Sequence, residues 1–197
     1  MSNIVWHTTT LKESSFDKDN KEYMTESSLI VYDFDKIKDD FATINGQCKN
    51  CKPRSVDALY CENDSKIYFI EFKNGKLYDD KHSNKKEANK GKIREKFYDS
   101  IIIYSRLKNI TLNKLVNKAI FVLVYNEEKN KGIQGSQGIS QTSSYNNLNK
   151  VINRIAKTNP STFDFNKFIK FICNDACLYT EKEFQEKFVN KYETTSP

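Results

Sequence analysis

Ser55-Val-Asp57-Ala-Leu-Tyr-Cys-Glu62-Asn-Asp64-Ser-Lys-Ile-Tyr-Phe-Ile-Glu71-Phe-Lys73 decides the reading of this chain. Two apolar runs, Val56 to Cys61 and Lys66 to Phe72, flank the polar turn Glu62-Asn63-Asp64-Ser65. That pattern predicts a β-hairpin. Side chains alternate faces along a strand, so Glu71 and Lys73 share one face while Tyr68, Ile70 and Phe72 take the other. Asp57 opens the partner strand, where the hairpin brings it opposite Glu71. Two carboxylates and one ammonium are thus expected at one end of a small sheet. Carboxylate oxygens suit Mg²⁺, and a lysine beside a bound metal can hold or polarise an attacking water. Glu-x-Lys on a solvated strand face carries no such meaning. Here, however, the strand is very apolar and Phe69 shares the face of Glu71, so a charge there is costly without a partner.

Working outward, Ser28 to Phe34 reads as a short strand. Asp33 or Asp35 caps a helix through about Ile44, with Ile37, Phe41 and Ile44 at helical spacing, and Asn45-Gly46 ends it. The loop before Asp57 is basic, with Lys49, Lys52 and Arg54. After the hairpin a charged stretch, Lys76 to Lys90, leads into a long helix from about Asn84 to Leu107. Ile93, Phe97, Ile101 and Tyr104 form its apolar stripe, and Arg94, Lys96 and Tyr98 lie off it. Lys118 to Tyr125 is a continuous apolar run, expected as a central strand covered on both faces. Strand 66–73, the helix and strand 118–125 make a crossover unit.

The ends of the chain are less patterned. Residues 1–25 are polar, a flexible arm or a late-pairing strand. Gly132, Gly135 and Gly138 lie in a Gly/Gln/Ser loop that lacks the Gly-Lys-Ser/Thr of a phosphate-binding loop. Tyr145 to Thr158 looks helical, and Phe168 to Leu178 reads as an edge strand. Thr180-Glu-Lys-Glu183 is a capping box opening a last helix through about Tyr192. The expectation is one α/β domain over residues 1–197, a mixed sheet flanked by helices, with a core at about 30–126 and a C-terminal addition at 145–192.

Composition sets the frame. The 197 residues are 38% hydrophobic and 29% charged, and the net charge of +6 suits a polyanionic partner. No apolar run is long enough to span a bilayer, and Met1 to Ser15 has no signal-peptide core, so a cytoplasmic protein is expected. Five cysteines fit reduced thiols better than a disulfide framework. Cys48-Lys-Asn-Cys51 has no matching second pair for zinc, and Cys173 and Cys177 are spaced too widely.

Taken together, Asp57, Glu71-Phe72-Lys73, their separation and the order helix, hairpin, helix, strand resemble the PD-(D/E)xK nuclease superfamily, the fold of restriction endonucleases and many repair and defence nucleases. Lys92-Ile-Arg-Glu-Lys-Phe-Tyr-Asp-Ser-Ile is similar to small bacterial or phage members. The resemblance implies a restriction-endonuclease-like core. It also implies Mg²⁺ or Mn²⁺ held by Asp57, Glu71 and the Phe72 backbone carbonyl, with Lys73 assisting the attacking water. Val56 stands where the name's proline would be. A further acidic ligand is common in the superfamily; Glu26, Asp33 and Asp39 are the choices, Glu26 taken first. A Gln, Lys or Arg on the following helix is also common, here Arg94 or Lys96. Lys49, Lys52, Arg54, Arg94 and Lys96 are then expected to hold nucleic acid, DNA before RNA. A homodimer is compatible with this reading. The alternatives are an inactive nuclease-fold binding module, or an unrelated α/β protein with Glu71 and Lys73 as a surface pair.

Overall fold

The computed structural model describes residues 4–63, 65–77, 83–130 and 167–193. Its centre is a six-stranded mixed sheet flanked by helices. The predicted hairpin is there as β5 (Ala58–Glu62) and β6 (Lys66–Lys73), antiparallel, with Ala58 opposite Ile70. Asn63 takes a positive φ of 45° in the turn, a conformation asparagine tolerates. Upstream, β4 (Ile30–Asp33) leads directly into α2 (Phe34–Ile44), whose N-cap is Asp33: its carboxylate accepts from the Lys36 N–H. Gly46, at φ 67°, follows the end of that helix as expected.

The crossover also forms. Strand β6 leads through α3 (Ser83–Lys108) and the short α4 (Leu112–Val116) to β7 (Ala119–Tyr125), parallel to β6. All seven residues of β7 are buried, which is why its sequence is unbroken by polar residues. On one face Phe34, Phe69, Phe97 and Phe121 pack with α2 and α3. On the other, Tyr68, Ile70, Phe72, Val122 and Val124 meet Phe184, Phe188 and Tyr192. These last three come from three successive helical turns: Phe184 from Glu181–Phe184, Phe188 from the π-helical turn Gln185–Val189 and Tyr192 from Asn190–Glu193. The Thr180/Glu183 capping box is present in full. Strand β8 (Asp175–Thr180) is the edge strand, later in the chain than the sequence suggests because 168–173 turns back on itself instead.

One expectation is met in the second of its two forms and one is corrected. From residue 4 the N-terminal stretch supplies the late-pairing strand and not a flexible arm: β1 (Thr8–Thr10) pairs antiparallel with β4 at the other sheet edge, α1 (Leu11–Ser14) buries Leu11, and β2 (Phe16–Asp17) pairs with β3 (Glu22–Tyr23). Elements so short have no periodic signature, and their stability comes from tertiary pairing. Cys48 and Cys51 are not free thiols but a disulfide. The 3₁₀ turn Lys49–Cys51 brings their Cα atoms to 5.2 Å, within disulfide range. Cys61, Cys173 and Cys177 form no disulfide among the described residues. The expected Gly/Gln/Ser loop and the Tyr145–Thr158 helix lie outside the described residues. No helix among the described residues is long and apolar enough to cross a membrane.

Candidate active site

Asp57 and Glu71 meet as the hairpin register requires, and a lysine lies between them. That lysine is Lys96. Its Nζ donates to both Glu71 oxygens, at 2.7 and 2.8 Å, and to Asp57 Oδ1 at 3.3 Å. The other Asp57 oxygen accepts the Phe72 N–H at 2.7 Å. The main-chain group of Phe72 shown at the acids is thus its amide, while its side chain is buried on the opposite face. The Glu71 side chain is 4% exposed, Asp57 20% and Lys96 26%.

Local sequence explains how Lys96 gets there. On α3, Lys96, Asp99 and Ser100 fall at i, i+3 and i+4, one side of a helix. Asp99 accepts the Arg54 N–H at 2.8 Å and Ser100 Oγ accepts the Val56 N–H at 2.9 Å. The three polar residues therefore grip the chain at Arg54, Val56 and Asp57 just before β5. Phe97 stacks on Phe121, centroids 4.4 Å apart, which fixes the rotation of the helix against the sheet.

The electrostatics follow from burial. Loss of water raises Asp57 above the ordinary carboxylate value, against Lys96 and the Phe72 N–H. Glu71 is raised further, by burial first and then by the Asp57 charge beside it. Burial opposes the charge on Lys96, but the two carboxylates outweigh it and raise its pKa. Asp35 adds to the negative field felt by all three and is hydrogen-bonded by Ser55 Oγ.

Asp57, Lys96, Phe72 and Lys73 line a cleft of about 500 Å³. Its other wall is the N-terminal stretch from Ser14 to Asn20 with Met24. Lys73 reaches the cleft, but its ammonium forms no ion pair among the described residues. Glu71 pairs with Lys96, so the reading of Glu71 and Lys73 as a surface pair does not hold. Glu26 is not in the cleft wall; it is exposed and pairs with Lys12 at 2.6 Å. Asp33 caps α2, and Asp39 pairs with Lys38 and Lys52. The nearby further acid is Asp35, which its place in the first turn of α2 disguises as helix-capping chemistry. In the basic loop, Lys52 pairs with Asp39 at 3.0 Å and Arg54 with Glu95 at 2.9 Å, while Lys49 is exposed. Arg94 is half-buried on α3.

A divalent cation fits this donor chemistry in one respect: two hard carboxylates converge, and an ammonium already stands where positive charge is needed. Among the described residues, no group of three or more His, Cys, Asp or Glu side chains is arranged to hold a metal. No family model matches this chain, and no curated protein or solved structure matches it.

Proposed function

We propose that the protein is a metal-dependent nuclease that hydrolyses phosphodiester bonds, DNA before RNA, on a PD-(D/E)xK-like core. The order α2, β5–β6 hairpin, α3, β7 supports that reading. The observation that carries it is the pair Asp57 and Glu71, desolvated and bridged by Lys96 across the hairpin, with Asp57, Lys96 and Lys73 lining a cleft. A desolvated carboxylate with a specific charge partner beside a cleft is a functional-site candidate. Asp57 and Glu71 would hold Mg²⁺ or Mn²⁺, which supplies Lewis-acid stabilisation of the charge gathering on the phosphoryl group. Lys96 offsets the mutual repulsion of the acids and keeps them close. Lys73, which lines the cleft and forms no ion pair among the described residues, would orient a water or meet a phosphate oxygen.

Incubation with DNA and RNA in Mg²⁺, Mn²⁺ or EDTA tests the reading. Cleavage is expected only with metal, and Asp57→Ala or Glu71→Ala should lower it by about a hundredfold or more. Wild-type-like cleavage by folded Asp57→Ala protein would sink the assignment. One observation favours a second reading, a nuclease fold kept as a binding module: Lys96 already neutralises part of the acid charge. Nucleic-acid binding in EDTA with no cleavage in either metal would select it.

A further inference from the structure

Phe16 lines the cleft beside Asp57, Lys73 and Lys96, and its ring is not covered by the core. It is 38% exposed and its partner Tyr23 40% exposed. The two rings pack at 4.7 Å, tilted by 41°, and the Lys12 ammonium lies 4.8 Å from the Tyr23 centroid. One ring of an ordered aromatic pair is therefore presented at the mouth of the candidate site, on a two-stranded ribbon that the main sheet does not include. A π-face beside cations is the surface on which an unstacked nucleobase and its phosphates bind. Lys18 and Lys73 line the same cleft and form no ion pair among the described residues, so both are free to meet phosphates. Asp17 and Asp19 are there as well, but the Asp17 carboxylate is turned into its own loop, accepting the N–H groups of Asp19 and Asn20 and the Asn20 side-chain amide.

We infer that the cleft takes single-stranded nucleic acid, with one base stacked on Phe16 and the adjoining phosphates on Lys18 and Lys73. This rests on the nuclease reading of the same cleft and narrows its substrate to strands whose bases are already unstacked. Duplex DNA keeps its bases in register and cannot offer one to Phe16 without the cost of flipping it out.

The test is binding of the full chain in EDTA, read by fluorescence anisotropy of short labelled oligonucleotides. The probes are single-stranded DNA, single-stranded RNA and a duplex of the same sequence. Tighter binding of the single strands is expected. Phe16→Ala and Phe16→Leu should each weaken single-strand binding by about five- to a hundredfold and leave duplex binding unchanged, while Phe16→Trp retains it. Leucine keeps the apolar volume without the π-face, so a Phe16→Leu protein that binds like wild type overturns the stacking inference even if Phe16→Ala fails to fold. Equal affinity for duplex and single strand overturns it too. The DNA and RNA arms identify which strand supplies the base. The two proposals fail separately: metal-dependent cleavage that ignores Phe16 leaves the nuclease reading and removes this one. Phe16-dependent single-strand binding without cleavage does the reverse.

Discussion

Lys96→Met is the most informative single change. The methionine keeps the length and apolar stem of the side chain and removes the charge. It would leave Glu71, 4% exposed, and Asp57, 20% exposed, facing each other with no cation between them. Removing one partner of a buried ion pair costs about 3–5 kcal/mol. Lys96 is itself 26% exposed, and Glu71 can accept a proton, so the expected loss at pH 8 is about 2–3 kcal/mol. For a chain of this size that lowers Tm by roughly 5–10 °C. The loss should shrink at pH 5, because burial raises the Glu71 pKa and removing Lys96, which lowers it, raises it further. Mg²⁺ at tenfold its Kd should return about 1.4 kcal/mol to the variant by mass action. Lys73→Ala serves as the contrast: it should melt like the wild type, since Lys73 pairs with neither acid. The assay is thermal melting at pH 5 and pH 8, with and without Mg²⁺. A Lys96→Met protein as stable as wild type at pH 8 would refute the charge-compensation argument.

Glu71→Gln should change the pH dependence of stability. The folded-state pKa of Glu71 is raised, so its stabilising contribution is complete below the ordinary value of 4.5 and is lost as pH rises through the raised value. Denaturant melts should therefore show Glu71→Gln matching wild type near pH 4 and exceeding it at pH 8; equal stability at both would remove the burial effect. Replacing Lys49, Lys52 and Arg54 together by Gln should lower the log-log salt slope of duplex DNA binding by about 0.9, the contribution of Lys49 alone. A fall of about 2.7 in the salt titration would mean that phosphates displace the Asp39 and Glu95 pairs, and no change would take the loop out of the interface.

The hairpin was legible because its signal is local: two apolar runs, a polar turn, and alternation that puts Asp57 and Glu71 on one face. The burial of β7 and the apolar stripe of α3 were legible for the same reason. The identity of the lysine was not. Alternation fixes which face Lys73 leaves but says nothing about what stands over that face. Lys96 comes from a helix some twenty residues on, and its position depends on how Phe97 seats against Phe121. The available signal was the polar trio Lys96, Asp99 and Ser100 beside an apolar stripe, more polar groups than a core-facing helix side needs. Asp35 was hidden because an acid in the first turn of a helix already has an explanation in the helix dipole. The N-terminal ribbon carrying Phe16 had no signal, since strands of two residues acquire their structure only from what they touch.

The site and the fold depend on each other through α3. Glu71 sits in mid-sheet surroundings where an unpaired carboxylate would not be tolerated, so β6 can bury it only when α3 has docked. The docking surface of α3 is apolar, Ile93, Phe97 and Ile101, yet the same helix delivers Lys96 to the acids and Asp99 and Ser100 to the chain entering β5. Apolar burial supplies most of the attraction, and it is nearly indifferent to a small rotation of the helix. The polar contacts are not, because a hydrogen bond at 2.7–2.9 Å fails within an ångström. The core therefore drives the helix onto the sheet, while Lys96, Asp99 and Ser100 select its register. A site whose charges are held by the packing of a long helix keeps its two carboxylates close in advance, the pre-organisation that the proposed hydrolysis would require.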